Sequence, residues 1–159
     1  MNRTRRPVDR LGHRFAGDSV SRTLALIGDH WTLMILREEL FGVRRYGQLA
    51  RNLGIPRPTL SHRLRTMVES GLLERVLYAS EPDRYEYRLT EAGRELFGAA
   101  VMLMRWGDQY LAGPDGPPVV LRHHDCGEIA EPALVCARCS APITPRNVTP
   151  EPGPGFRQP

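Results

Sequence analysis

Two spacings of apolar residues organise the chain, first helical and then strand-like. Over SVSRTLALIG (19–28), Val20, Leu24 and Ile27 fall on one helix face and Gly28 supplies a stop. Asp29 is placed to cap HWTLMILREELF (30–41), which is apolar around much of its circumference and reads as a core helix ended by Gly42. YGQLARNLG (46–54) predicts a short third helix with Leu49 and Leu53 inward and Gly54 as its C-cap. A fourth helix has Pro58 in its first turn, where the missing N–H costs nothing. Leu60, Leu64, Met67 and Val68 form its buried stripe and Gly71 ends it. Thr59, Ser61, His62, Arg63, Arg65, Thr66 and Glu69 are left on its other faces.

The period then shortens to two. LLERVLYA (72–79) and YEYRLT (85–90) predict strands. In the second, Tyr85, Tyr87 and Leu89 alternate with Glu86 and Arg88, as in a half-buried strand. SEPDR (80–84) reads as the hairpin tip, and Thr90 as the cap of one long helix over 91–111. GPDGPP (113–118) is a linker. The chain therefore divides into a basic arm (1–17) expected to be mobile, a main domain (18–112), the linker region (113–120), a cysteine-bearing unit (121–144) and a Pro-rich tail (145–159) expected to be disordered. No internal repeat is legible.

Helices followed by a two-stranded hairpin predict an α+β winged helix-turn-helix. Its pair 46–53 and 58–70 has the layout in which the second helix enters a DNA major groove. Charge sharpens this reading. The formal net charge is only +4, but residues 40–68 hold six arginines and neither Asp nor Glu. Arg57, Thr59, Ser61, His62, Arg63 and Arg65 are the candidate contacts of the second helix, with Arg65 favoured for a bidentate guanine contact. Arg44, Arg45 and Tyr46 precede the first helix of the pair, where phosphates would pass, and Arg84 at the hairpin tip is a candidate for the minor groove.

LIGDHWTLMILREE, RRYGQLARNLGI, TLSHRLRTMVESGLLER, PDRYEYRLTEAG and RWGDQYL, in that order, resemble the HxlR-type (MarR-like) bacterial transcription regulators over about residues 18–112. The resemblance implies a homodimeric winged helix that binds double-stranded operator DNA. The family's recognition helix falls on Pro58–Ser70, its wing on Arg75–Arg88, and its dimer contacts on the terminal helices. Leu96, Phe97, Ala100, Val101, Leu103 and Met104, with Tyr110, give helix 91–111 an apolar face wide enough to call for a partner. One departure is visible. Many members carry a cysteine just before the first helix, and some sense oxidants or electrophiles with it; Asp18 and Ser19 stand there, and no cysteine precedes Cys126.

The cysteine unit contains an HxxC, His123 to Cys126, and a CxxC, Cys136 to Cys139. This matches a minimal zinc ribbon with those four residues as ligands and His124 as the alternative nitrogen donor. A unit this small has almost no core, so a structural zinc would supply its folding energy. A redox CxxC, or reduced thiols with no role, are the competing readings.

No nucleophile elbow, P-loop, dinucleotide fingerprint or paired-carboxylate pocket occurs, so an enzyme is not expected and no residue is assigned a catalytic role. No apolar run approaches a membrane span and no secretory signal is legible; with only three cysteines, the chain reads as cytoplasmic and nucleoid-associated. The leading expectation is a sequence-specific regulator, a repressor, on a pseudo-palindromic operator. The alternatives are a winged-helix/zinc-ribbon interaction module of the transcription machinery, and a redox or metal sensor acting through the C-terminal cysteines. A small-molecule effector between the dimer helices is compatible with the sequence, but no pattern names one.

Overall fold

The computed structural model describes residues 18–151 and 153–155; the basic arm, residues 1–17, lies outside them. Among the described residues, six helices and two strands follow in the order α1 (Ser19–Ile27), α2 (His30–Leu40), α3 (Tyr46–Leu53), α4 (Arg57–Glu69), β1 (Leu73–Ser80), β2 (Asp83–Leu89), α5 (Glu91–Glu95) and α6 (Phe97–Tyr110). Three helix starts carry side-chain caps, at Asp29 and Thr90 as expected and at Asp18 in addition. Asp18 accepts the Ser21 N–H at 2.7 Å and serves as the N-cap of α1. Asp29 accepts the Trp31 and Thr32 N–H groups at 3.1 and 3.2 Å, and Thr90 accepts that of Gly93 at 3.2 Å. Gly54 ends α3 in the left-handed region at φ 60°, which the turn into Ile55-Pro56 requires.

The core gathers Ile35 and Leu36 of α2, Leu49 of α3, Leu60, Leu64 and Met67 of α4, and Leu72 and Leu73 at the hairpin base. Ile55 fills the turn between α3 and α4. The stripe foreseen on α4 is therefore what seats it, and the helix is held with its other side outward. On α1 only Ile27 is buried; Val20 and Leu24, expected on the same packed face, are exposed.

Four features depart from the sequence reading. The strands extend inward across the expected tip, leaving Glu81-Pro82 as the turn, and Tyr78 is skipped in an otherwise regular antiparallel register. Glu86 is buried rather than solvent-facing, and the backbone at Arg44 and Arg45 runs beside β2 in an isolated bridge: Tyr87 N–H donates to the Arg44 carbonyl at 2.8 Å and Arg45 bridges Glu86. The long helix 91–111 is two helices broken at Leu96.

The fourth departure is a repeat. The backbone of 121–130 recurs in 134–143, with three hydrogen bonds and one bridge shifted by thirteen positions. Gly127 N–H donates to His123 O (2.8 Å), His123 N–H to Glu128 O (2.9 Å) and Ala130 N–H to Leu121 O (2.7 Å). In the second copy Ser140 N–H donates to Cys136 O (2.7 Å), Cys136 N–H to Ala141 O (2.9 Å) and Ile143 N–H to Leu134 O (2.9 Å). Gly127 and Ser140 occupy the same left-handed position, at φ 76° and 58°. LRHHDCGEIA and LVCARCSAPI share few residues, so the sequence conceals the repeat. The tail starts as structure: Asn147 donates to the Pro142 carbonyl at 2.8 Å and accepts the Thr144 N–H at 2.8 Å.

Candidate nucleic-acid interface

The outer side of α4 carries Arg57, Ser61, His62 and Arg65 exposed, with Thr59 half-buried beside them. Two elements fix its attitude. The Tyr46 hydroxyl, from the start of α3, donates to the Arg57 carbonyl at 3.0 Å and lies 3.1 Å from Ser61 Oγ. Tyr46 thus clasps the first turns of the two helices, and Ser61 is partly committed to it. At the other side, Arg63 Nε lies 3.2 Å from Asp29 Oδ1, an ion pair without hydrogen-bond geometry that draws the side chain toward the start of α2. Sequence reasoning grouped Arg63 with the outward residues; the structure gives it to the carboxylate that caps α2.

The arginines before α3 separate. Arg45 lies over the Tyr78 ring at 4.5 Å, tying the α3 entrance to the wing. Arg44 instead lines a polar recess with Glu39, Glu74, Arg88 and Arg94, at the base of the wing. On the wing itself Arg75 stacks over Tyr85 at 3.5 Å and Arg84 is exposed next to the turn. Five of the six arginines in the acid-free window, Arg44, Arg45, Arg51, Arg57 and Arg65, are exposed without an acidic partner within ion-pair distance among the described residues; only Arg63 is paired.

Sequence reasoning missed the buried acids that hold this frame. Glu38 accepts from Arg37 and from Asn52 Nδ2, both at 2.7 Å, joining α2 to α3. Glu86 is satisfied by Arg88, at 2.7 Å from both Nε and Nη2. Glu39 is buried with its Oε1 unbonded. Burial pushes its carboxyl up to about 8; Glu86 adds to the rise and Arg44 opposes it. The REEL stretch carried no signal for this, since acids on a helix ordinarily face water.

At the far side, α6 has no buried residue over its 14 positions. Phe97 and Leu103 are exposed, with Trp106, Tyr110 and Leu111 continuing the apolar surface, while Leu96, Ala100, Val101 and Met104 are half-buried. An apolar groove of about 300 Å³ lies between α2 and α6, walled by Leu33, Met34, Leu40, Phe97, Ala100 and Leu103 among others.

In the C-terminal unit the structure pairs the predicted ligands two by two. His123 Nδ1 is 3.3 Å from Cys126 Sγ, and His123 Nε2 is 3.7 Å from Asp125 Oδ2. The N–H groups of Arg138 and Cys139 point at Cys136 and hold its thiol below the ordinary value. Among the described residues, no three His, Cys, Asp or Glu side chains meet at one point.

Comparison with known proteins decides the family. The family model described as HxlR-like helix-turn-helix matches residues 26–114. The chain belongs to the HxlR-like helix-turn-helix family. It is 67% identical over 150 residues to an HTH-type transcriptional regulator of Mycobacterium tuberculosis H37Rv, Rv3095, covering 94% of this chain and 95% of the relative. It is 35% identical to the HTH-type regulator YtcD of Bacillus subtilis 168, over 58% of this chain and 75% of that one. Among solved structures it resembles PA1607, a candidate transcription factor, at a TM-score of 0.77 and 32% identity, covering 88% of this chain and 98% of that one. The likenesses to Rv3095 and PA1607 extend beyond the winged helix into the C-terminal unit. The HxlR-like family is one of DNA-binding transcriptional regulators and not of enzymes. No helix among the described residues is long and apolar enough to cross a membrane.

Proposed function

We propose that this HxlR-like chain is a sequence-specific repressor that binds a pseudo-palindromic operator as a homodimer. The observation that carries the reading is the two-sided character of α4. Leu60, Leu64 and Met67 are fully buried, while Arg57, His62 and Arg65 stand outward on a helix braced by Tyr46 and Asp29. A braced helix with a polar outer row is what major-groove docking needs. Arg65 and His62 read base edges, with Thr59 and Ser61 as lesser contacts. Arg45, Arg51 and Arg57 neutralise phosphates, and the wing brings Arg84 to the minor groove. Tyr46 and Arg63 position the helix, and Arg44 acts in the frame at the wing base rather than on DNA.

The dimer follows from α6. A helix with nothing buried and exposed Phe97, Leu103, Trp106 and Tyr110 is completed by a second copy, together with Val20 and Leu24 of α1. Two-fold symmetry then sets two half-sites about one helical turn apart. Repression follows from occupancy of a promoter. Footprinting on the DNA flanking its own gene tests this: two protected segments about one turn apart are expected, with protection lost in Arg65→Ala. Protection by that variant at wild-type concentrations contradicts the assignment of Arg65.

A further inference from the structure

We propose that His123, Cys126, Cys136 and Cys139 bind one zinc ion, which closes the two copies of the C-terminal repeat onto each other. The first observation is the repeat itself. Both copies place a donor at the first position, a cysteine three residues on and a left-handed residue immediately after it, inside the same backbone hydrogen bonds. Such a turn leaves the two donors of each copy on the same side, and His123 and Cys136 occupy equivalent positions, as do Cys126 and Cys139.

Distance agrees with the chemistry. The His123 Nδ1 to Cys126 Sγ separation is 3.3 Å. The corresponding edge of a zinc tetrahedron, with a Zn–N bond of about 2.1 Å and a Zn–S bond of about 2.3 Å, is about 3.6 Å. The other ring nitrogen, Nε2, lies 3.7 Å from Asp125 Oδ2, beyond hydrogen-bond distance. One nitrogen and three thiolates favour zinc over harder divalent ions.

The unit also lacks a buried core of its own. Not one residue of 121–143 is buried, and its three cysteines are unpaired. Two hydrogen-bonded turns without a core do not hold together by apolar burial. A shared ion supplies the missing cross-link between half-sites that the structure holds as separate pairs. Leu121, Val120 and Ile129 lie across a cleft from Val101, Met104 and Arg105 of α6, so the clasp braces the helix assigned above to dimerisation. The clasp is remote from α4, and its failure leaves the DNA-binding reading intact.

The full-length protein, purified under reducing conditions, is titrated with cobalt(II) and separately assayed for zinc by native mass spectrometry. One ion per chain is expected, with tetrahedral cobalt bands and thiolate charge transfer corresponding to three sulfurs. Cys136→Ser and His123→Ala lose stoichiometric binding, whereas His124→Ala retains it. A thiol reagent should label three cysteines only after chelation, a readout independent of whether the variants fold. Absence of tetrahedral bands, free labelling of all three thiols in the isolated protein, a disulfide under reducing conditions, or loss of binding in His124→Ala but not in His123→Ala overturns the proposal.

Discussion

Gly93 is the position at which a single added methyl should cost the fold most directly. It lies in α5, which sits against the base of the wing. A Cβ at 93 would overlap the Leu72 carbonyl oxygen and come within 2.9 Å of Leu89 Cδ2. The Leu72 carbonyl has little freedom to retreat, because it accepts the Thr90 N–H at 3.1 Å and the Thr90 hydroxyl at 3.3 Å. Overpacking of this kind costs about 1–3 kcal/mol, and the helix preference of Ala over Gly returns about 1 kcal/mol at most. A net loss of about 1–2 kcal/mol is expected for Gly93→Ala, or a fall in Tm of roughly 5–15 °C for a domain of this size. Gly47→Ala is the control: its added methyl meets only the end of the Arg51 side chain, at 3.8 Å, and stability should hold or rise by up to about 1 kcal/mol. Thermal melts at one fixed protein concentration compare the two, since the proposed dimer would make Tm concentration-dependent. A Gly93→Ala protein that melts with or above wild type refutes the reasoning.

The other predictions concern charge and assembly. Glu39 has a carboxyl raised to about 8, so it contributes stability that is full below about pH 4.5 and is lost as pH rises through about 8. After allowance for solvent in the adjoining recess, urea denaturation should show a decline of about 1–3 kcal/mol across that window, which Glu39→Gln flattens; an identical decline in the variant counts against it. Arg65→Ala should cost ~1–3 kcal/mol and relax base preference at one operator position, whereas Arg63→Ala should weaken binding to all sequences alike by freeing α4 from Asp29. Competition binding with single-base operator variants separates the two, and the reverse pattern contradicts the structure. Leu103→Glu should convert the dimer to a monomer in analytical ultracentrifugation, and a dimer that survives it moves the interface away from α6.

Much of the fold was legible because burial and period agree on it. Leu60, Leu64 and Met67 repeat at helical spacing and are buried as that spacing requires. Asp29 and Thr90 sit where a helix must begin, and both cap one. What escaped was set by distant partners. Glu86 alternates with apolar neighbours and so reads as a surface residue, yet it is buried where the backbone at Arg45 bridges β2, and Arg88 satisfies it. Arg63 reads as an outward charge, and only the tertiary approach of α2 gives it to Asp29. Leu96 shares the periodicity of its neighbours, so nothing local marks the break between α5 and α6 there. The thirteen-residue repeat escaped because it lies in backbone hydrogen bonds and left-handed positions, with a histidine in one copy matched to a cysteine in the other.

The central claim is that α4 and its symmetry mate read a defined DNA sequence. Selection of bound duplexes from a random library by the purified protein, at physiological salt, tests it most directly. The account predicts recovery of an inverted repeat with half-sites about one helical turn apart, and binding that weakens steeply as salt rises because several arginines displace counterions. Recovery of no preferred sequence, with affinity that depends on salt alone, would contradict it and redirect attention to protein partners in the transcription machinery.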